Sequence, residues 1–492
     1  MLYKSTRSDK NAEFESAYVI KNGLAADGGL YVPKELPQIS VDDLDSLRHM
    51  DYPHRAADIL SRFLTDYTYD ELLADCQSAY REESFPGGAA PMSAEYNGQR
   101  LLELWHGPTA AFKDMALQIM PRLLSRALVK TGETRCAYIL VATSGDTGKA
   151  ALEGYRDVPH TRITVFYPVD GVSRVQKLQM ATQLGENVKV YAIEGNFDDA
   201  QNGVKQLFGD AEMAEELNSA GYFFSSANSI NWGRLAPQIV YYVSAYCDML
   251  NSGAVKPGDE VNICVPTGNF GNILAAYIAK CAGLPFGRLI CASNTNNVLT
   301  DFLTCGTYDR NRKFHVTMSP SMDILISSNL ERLLYFTCGP ELTAEYMLAL
   351  KNEGKYFVAP EILAKIRNDF AGYYANEDET AATIRKMYSE HGYLCDTHTA
   401  VAVCCADKYL AETHDSRPII TASTASPYKF AKDVYRSLTG KAADGDLEAL
   451  AQLNALTDVA IPYPLESIGE RKVRFKDVIA TSGMKDAVRK DL

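Results

Sequence analysis

Lys113 lies in the run Leu104-Trp-His-Gly-Pro-Thr-Ala-Ala-Phe-Lys-Asp-Met-Ala-Leu-Gln118, and its apolar flanks Phe112, Met115 and Ala116 make it a candidate nucleophile. Partial desolvation lowers an amine's pKa and favours the neutral form that attacks an aldehyde. Pro108 and Thr109 are placed to start a helix, with Phe112, Met115, Ala116, Ile119 and Leu123 recurring at helical spacing until Pro121 kinks or interrupts it. Read alone, a helix lysine is usually a solvated charge, and His106 beside it is usually structural.

Three further segments have the composition of ligand-binding loops. After the apolar run Val261-Asn-Ile-Cys-Val265 come Pro266-Thr-Gly-Asn-Phe-Gly-Asn272 and a helical stretch rich in alanine. Gly268 and Gly271 can take positive φ and expose backbone N–H groups at a helix N-terminus, which suits a phosphate dianion. The loop Thr143-Ser-Gly-Asp-Thr-Gly-Lys149 also follows an apolar run and opens a helix. Ser144, Thr147 and the local backbone could hold a carboxylate there, or Ser144 or Thr147 could simply cap the helix. It is not a Walker A loop, because Thr143 and Ala150 occupy positions that need Gly and Ser/Thr. Finally, Pro418-Ile-Ile-Thr-Ala-Ser-Thr-Ala-Ser-Pro-Tyr-Lys-Phe430 ends an apolar run in a cluster of hydroxyls. Thr424 stands out, since a neutral hydroxyl can partner a pyridine nitrogen without protonating it. A plain turn before Pro427 fits the same residues.

The elements that must position these loops alternate. Apolar runs at 136–142, 162–167, 189–193, 261–265, 289–292 and 418–421 are separated by helical patterns, the signature of α/β units with buried parallel sheets. Ligands bind outside the carboxyl ends of such strands, where the loops above lie. Phe85-Pro-Gly-Gly-Ala-Ala-Pro91 marks a boundary, and the tail beyond 440 carries no chemical signal. The chain has 492 residues, 46% hydrophobic and 23% charged, and no apolar stretch near the roughly 20 residues that span a bilayer. The net charge of −13 disfavours nucleic acid and anionic membranes as partners. Eleven scattered cysteines without a C-x-x-C pair suggest free thiols, no metal site and a cytoplasmic address; the N-terminus offers neither a signal core nor a transit composition.

Together and in this order, the Lys113 run, the Ser144-Gly-Asp-Thr-Gly148 loop, the Gly268-Asn-Phe-Gly-Asn272 loop and the Ser423-Thr-Ala425 turn resemble the long form of threonine synthase. Tyr3-Lys-Ser-Thr-Arg7, Gly23-Leu-Ala-Ala-Asp-Gly-Gly-Leu-Tyr-Val-Pro33, Phe197-Asp-Asp-Ala-Gln201 and Asn228-Ser-Ile-Asn-Trp-Gly-Arg234 extend the resemblance over nearly the whole chain. It implies a tryptophan-synthase-β-like, fold-type II fold, with pyridoxal 5'-phosphate in a cleft between two α/β lobes. The implied layout is an N-terminal module over 1–90, a catalytic domain over 91–440 with the smaller lobe roughly 136–235, and a C-terminal extension over 441–492. Lys113 matches the Schiff-base lysine. Gly268, Asn269, Phe270, Gly271 and Asn272 match the cofactor phosphate loop, and Thr424 the partner of the pyridine nitrogen. Ser144, Gly145, Asp146 and Thr147 match the substrate-carboxylate loop, with Asn228, Asn231 and Arg234 as further substrate contacts.

The implied reaction converts O-phospho-L-homoserine and water to L-threonine and phosphate, in a monomer or homodimer. Lys149, Arg174, Lys177 and Arg234 are the candidate cations for the substrate phosphate. Ser426 stands where the family commonly has His, and Lys149 where it has a small residue. The same motifs suit a phospholyase that releases 2-oxobutyrate. A non-catalytic homologue would not need an intact Lys113, and no G-x-G-x-x-G follows any apolar run to suggest a nicotinamide enzyme.

Overall fold

The computed structural model describes residues 1–8 and 12–492, organised around two largely parallel sheets. The apolar runs of the sequence are strands: Cys136–Ala142, Thr161–Pro168, Val188–Glu194, Val261–Pro266, Phe286–Ser293 and Ile419–Ser423. Val261–Pro266 and Ile419–Ser423 are buried along their whole length, which is why they read as unbroken apolar segments.

The smaller sheet has the order Val478–Ala480, Val188–Glu194, Thr161–Pro168, Cys136–Ala142 and Tyr222–Ser225, all parallel. Its edge strand at 478–480 comes from the chemically silent tail. The larger sheet has the order Phe370–Tyr374, Phe286–Ser293, Val261–Pro266, Ile419–Ser423, Gln99–Glu103 and Met92–Tyr96. All its pairs are parallel except the final hairpin. Strand Gln99–Glu103 is hidden from a search for apolar runs because it opens on Gln99 and Arg100. Gln99 is nonetheless buried, its carbonyl accepting from Thr421 Oγ1 at 2.8 Å and its amide donating to Asp407 at 2.8 Å.

The first residues pair as a short antiparallel ribbon, Tyr3–Ser5 with Tyr31–Pro33. That ribbon packs on the buried helix Trp232–Asn251, where the Tyr3 and Trp232 rings lie 5.3 Å apart edge to face. Arg332 ties this region to the segments around Ile230 and Asn329. It is fully buried and donates to the carbonyls of Tyr31 (2.9 Å) and Ile230 (2.6 Å) and to Asn329 Oδ1. Burial without a carboxylate of its own lowers its pKa to about 9.

Helix Asp146–Tyr155 and the short helix Asp114–Leu117 approach until Gly154 lies against the Leu117 carbonyl, with no room for a Cβ. Gly154→Ala therefore forces the two helices apart. We expect a loss of about 1–3 kcal/mol, or more if the helices cannot shift, seen as a lower thermal midpoint; an unchanged midpoint would contradict this packing.

Candidate active site

Strands Gln99–Glu103, Ile419–Ser423 and Val261–Pro266 are adjacent and parallel, so the segments leaving their carboxyl ends share one edge of the sheet. The Lys113 segment, the hydroxyl turn and the glycine loop are those three segments. Leu104 N donates to Ser423 O (2.9 Å), Phe112 N to Thr424 O (2.8 Å) and Ser426 N to Ala110 O (3.1 Å). Lys113 thus follows directly on a residue pinned to Thr424. The loops after Cys136–Ala142 and its neighbour Tyr222–Ser225 leave one edge of the smaller sheet in the same way, and they carry Ser144–Gly148 and Asn228–Asn231.

The helix expected from Pro108 begins only at Asp114, because Ala110 is left-handed at φ 59° and residues 109–113 form a turn. Asp114 organises that turn, accepting from Thr109 N at 2.8 Å and Thr109 Oγ1 at 2.7 Å. A Cβ at Gly107 would collide with the Asp114 carboxylate, so glycine is required there by close approach. Burial pushes the Asp114 carboxyl up to about 7. Pro121 interrupts the helical pattern as expected, standing in the first turn of a second helix, Met120–Lys130.

Lys113 is half-buried, and among the described residues nothing accepts a hydrogen bond from its amine or pairs with it. Burial lowers its pKa, Asp146 opposes that, and Arg234 and Lys429 reinforce it. Thr424 is buried, and its hydroxyl also has no hydrogen-bond partner among the described residues. His106 is bound to Glu103 at 2.7 Å and stacks on Trp105, a structural arrangement.

In the glycine loop the left-handed residue is Phe270, at φ 62°, and neither Gly268 nor Gly271 takes positive φ. Gly268 serves close approach instead: a Cβ there would lie 2.7 Å from the Ser321 carbonyl. The loop is anchored through its carbonyls, Gly268 O by Ser327 Oγ (2.7 Å) and Asn269 O by Asn329 N and Nδ2 (both 3.0 Å). Its N–H groups, 268 to 273, have no acceptor among the described residues and end at the start of helix Gly271–Cys281. Asn272 Oδ1 accepts from Tyr241 (2.8 Å) and Tyr242, leaving its buried Nδ2 without a partner. A run of free N–H groups, a helix N-terminus and an orphaned amide together fit a phosphate dianion.

At the second loop neither Ser144 nor Thr147 caps the helix. Thr143 Oγ1 does the organising, accepting from Gly145 N (3.0 Å) and Gly148 N (2.9 Å). The Ser144 and Thr147 hydroxyls and the N–H groups of Ser144, Asp146 and Thr147 stay available, while Gly145 sits at φ 139° with its Cα against Gln176. Asp146 faces inward, accepting from Gln176 Nε2 (2.9 Å) and paired with Lys429 Nζ (2.8 Å). Burial opposes its charge, yet Lys429, Lys113 and Gln176 hold the carboxyl well below the usual range.

The remaining expected contacts divide. Asn228 is exposed, whereas buried Asn231 caps helix Trp232–Asn251 through Gly233 N (2.8 Å) and donates to Ile20 O (2.8 Å). Arg234 donates to Ala227 O (2.8 Å), leaves Nε buried without a partner, and is lowered to about 10 by burial. Lys149 is taken up by Glu153 (3.0 Å) and Gln183, Lys177 by the Val169 carbonyl, and Arg174 is exposed. Arg234 is therefore the candidate cation with a buried donor to spare. Lys429, Thr143, Gln176 and Asn329 had no assigned part in the sequence reading. Nothing local marks Lys429, whose partners Asp146, Gln179 and Thr109 are all distant in sequence.

Family models described as threonine synthase N terminus, pyridoxal-phosphate dependent enzyme, and threonine synthase C-terminal match residues 2–80, 94–424 and 399–488. Threonine synthase of Pseudomonas aeruginosa is 39% identical over 449 residues, covering 90% of this chain and 91% of that protein. The chain belongs to the threonine synthase family of pyridoxal-phosphate-dependent enzymes. Among solved threonine synthases, the PLP-bound structure from Brucella melitensis superposes with a TM-score of 0.89 at 36% identity, covering 100% of this chain and 99% of that one. The yeast threonine synthase structure gives 0.90 at 33% identity, covering 100% and 98%. Homo sapiens threonine synthase-like 1 is 41% identical over 463 residues, covering 91% of this chain but 61% of its own length, so the chain spans about three fifths of that relative.

Asp114 makes stability depend on pH. Below about pH 4 folded and unfolded chains both hold its proton; as pH rises toward 7 only the unfolded chain releases it, so stability falls across that window. In Asp114→Asn the amide oxygen can accept from Thr109 N while the amide N–H donates to Thr109 Oγ1, so the variant keeps two Thr109 contacts, as a protonated carboxyl does, and removes the loss. The variant should gain on wild type by about 1–3 kcal/mol between pH 5 and pH 8, measured by thermal or urea unfolding. An equal difference at both pH values would contradict the buried, protonated carboxyl.

Proposed function

We propose that the chain is a threonine synthase that converts O-phospho-L-homoserine and water to L-threonine and phosphate. The observation that carries this reading is the unpaired Lys113 amine, one residue from the backbone bond to Thr424 and on the same sheet edge as the free N–H groups of 268–273. Those groups fit pyridoxal phosphate: Lys113 would hold its aldehyde as a Schiff base, the 268–272 loop its phosphate, and Thr424 its ring nitrogen. When bound, the cofactor supplies the electron sink that stabilises negative charge at the substrate carbon.

The protein's residues do the rest. The Thr424 hydroxyl is neutral, so it would partner the ring nitrogen without adding a proton to it. The free hydroxyls and N–H groups of Ser144 and Thr147 suit the substrate carboxylate at a helix N-terminus. Arg234, with its uncommitted Nε, suits the substrate phosphate, aided by Asn228. The Lys113 amine, lowered by burial, is the group that moves the proton at Cα. Water must be held back until phosphate has left, a task for the buried surroundings of the cleft. Asn231 acts on this site by capping the helix that carries Arg234.

The same reading assigns 1–90 to an N-terminal module, 91–440 to a catalytic domain with its smaller lobe roughly 136–235, and 441–492 to a C-terminal extension. It places the protein in the cytoplasm as a monomer or homodimer. No helix among the described residues is long and apolar enough to cross a membrane.

Lys113→Ala should abolish the Schiff-base absorption band, and turnover should fall by several orders of magnitude. Wild type given O-phospho-L-homoserine should release threonine and phosphate in equal amounts. Predominant 2-oxobutyrate would replace the proposal with the phospholyase reading, and a variant keeping both band and turnover would overturn the assignment of Lys113.

A further inference from the structure

Lys429 is a second lysine at the heart of this site. Its side chain is fully buried, and its three ammonium protons meet three acceptors: Asp146 Oδ1 at 2.8 Å, Gln179 Oε1 at 3.0 Å and the Thr109 carbonyl at 3.1 Å. An ammonium so surrounded has no hydrogen left for a substrate. Its acceptors come from three places: the helix that opens at Asp146 after the smaller sheet, helix Arg174–Ala181, and the turn that leads into Lys113. Gln176, on that second helix, supplies the other donor to Asp146.

We propose that Lys429 is a positioning residue that serves as the fixed counter-ion of Asp146 and so keeps the Lys113 amine unpaired and able to react. The charged groups facing Lys113 are Asp146, Asp114, Arg234 and Lys429. Asp114 is bound by Thr109, and burial pushes its carboxyl up to about 7, so it carries only part of its charge near neutrality. Lys149, which also faces Lys429 and Asp114, is neutralised by Glu153. Arg234 adds positive charge and cannot compete with Lys113 for a proton. Asp146 is thus the carboxylate facing Lys113 that stays ionised throughout the neutral range. A buried carboxylate that loses its ion-pair partner recruits another cation, since leaving it unpaired is costly. Without Lys429 that cation is Lys113, and an ammonium locked in an ion pair is neither nucleophile nor base.

The inference rests on reading Lys113 as the cofactor lysine, and the test separates the two. The pH midpoint of the Schiff-base absorption band is measured on the holoenzyme for wild type, Lys429→Gln, Lys429→Met, Lys429→Arg and Asp146→Asn. Loss of the positive charge in the Gln and Met variants should raise the midpoint by roughly one to three pH units. The Arg variant should stay near wild type, and Asp146→Asn should shift it downward. After cofactor removal, the pH dependence of Lys113 acylation, followed by peptide mass spectrometry, should show the same order.

A residue that only braces the fold would lower the thermal midpoint while leaving both titrations unmoved. That result in Lys429→Gln or Lys429→Met overturns the proposal. If those variants do not fold, an unmoved titration in Asp146→Asn overturns it alone. Persistence of the band in Lys113→Ala would instead sink the cofactor-lysine reading.

Discussion

Two backbone hydrogen bonds, Phe112 N to Thr424 O and Ser426 N to Ala110 O, join segments more than 300 residues apart and set where the reactive amine stands. They exist because strands Gln99–Glu103 and Ile419–Ser423 are parallel neighbours in register, so both chains leave the sheet at the same level. Lys113 is therefore placed by sheet topology rather than by a long helix of its own. The short helix Asp114–Leu117 follows the lysine, and the preceding turn is held by the buried Asp114 carboxyl.

The second constraint is electrical. The chain is strongly acidic overall, yet its cleft gathers Lys113, Lys429 and Arg234 around Asp146, the carboxylate held ionised there. Buried charges persist only when paired or bonded. Lys429 and Asp146 satisfy one another, while the Lys113 amine and the Nε of Arg234 remain unsatisfied. The unsatisfied groups are the ones a phosphorylated amino acid and an aldehyde would complete. Arg332 extends the same arrangement outward, linking Tyr31 of the N-terminal ribbon to Asn329, which holds the glycine loop.

Much of this was readable in the residue order. Strands buried on both faces appear as apolar runs, and six were found within a few residues of their ends. The loops with chemistry follow those strands because parallel sheets put their carboxyl ends together. What escaped has physical causes. Gln99–Glu103 opens with polar residues whose burial depends on partners at 407 and 421. Phe270, and not a glycine, takes the left-handed position, a choice set by packing around the loop. The helix at Lys113 starts late because Asp114 bonds backward to Thr109, a contact that periodicity does not encode. Lys429 escaped because its meaning lies in Asp146, Gln179 and Thr109, none of them near it in sequence.

The central claim is that Lys113, and neither of the other buried lysines of this site, carries pyridoxal phosphate. Borohydride reduction of the holoenzyme followed by peptide mapping tests it directly. The account predicts one pyridoxyl adduct per chain on the peptide containing Lys113. An adduct on Lys429 or Lys149 would contradict it.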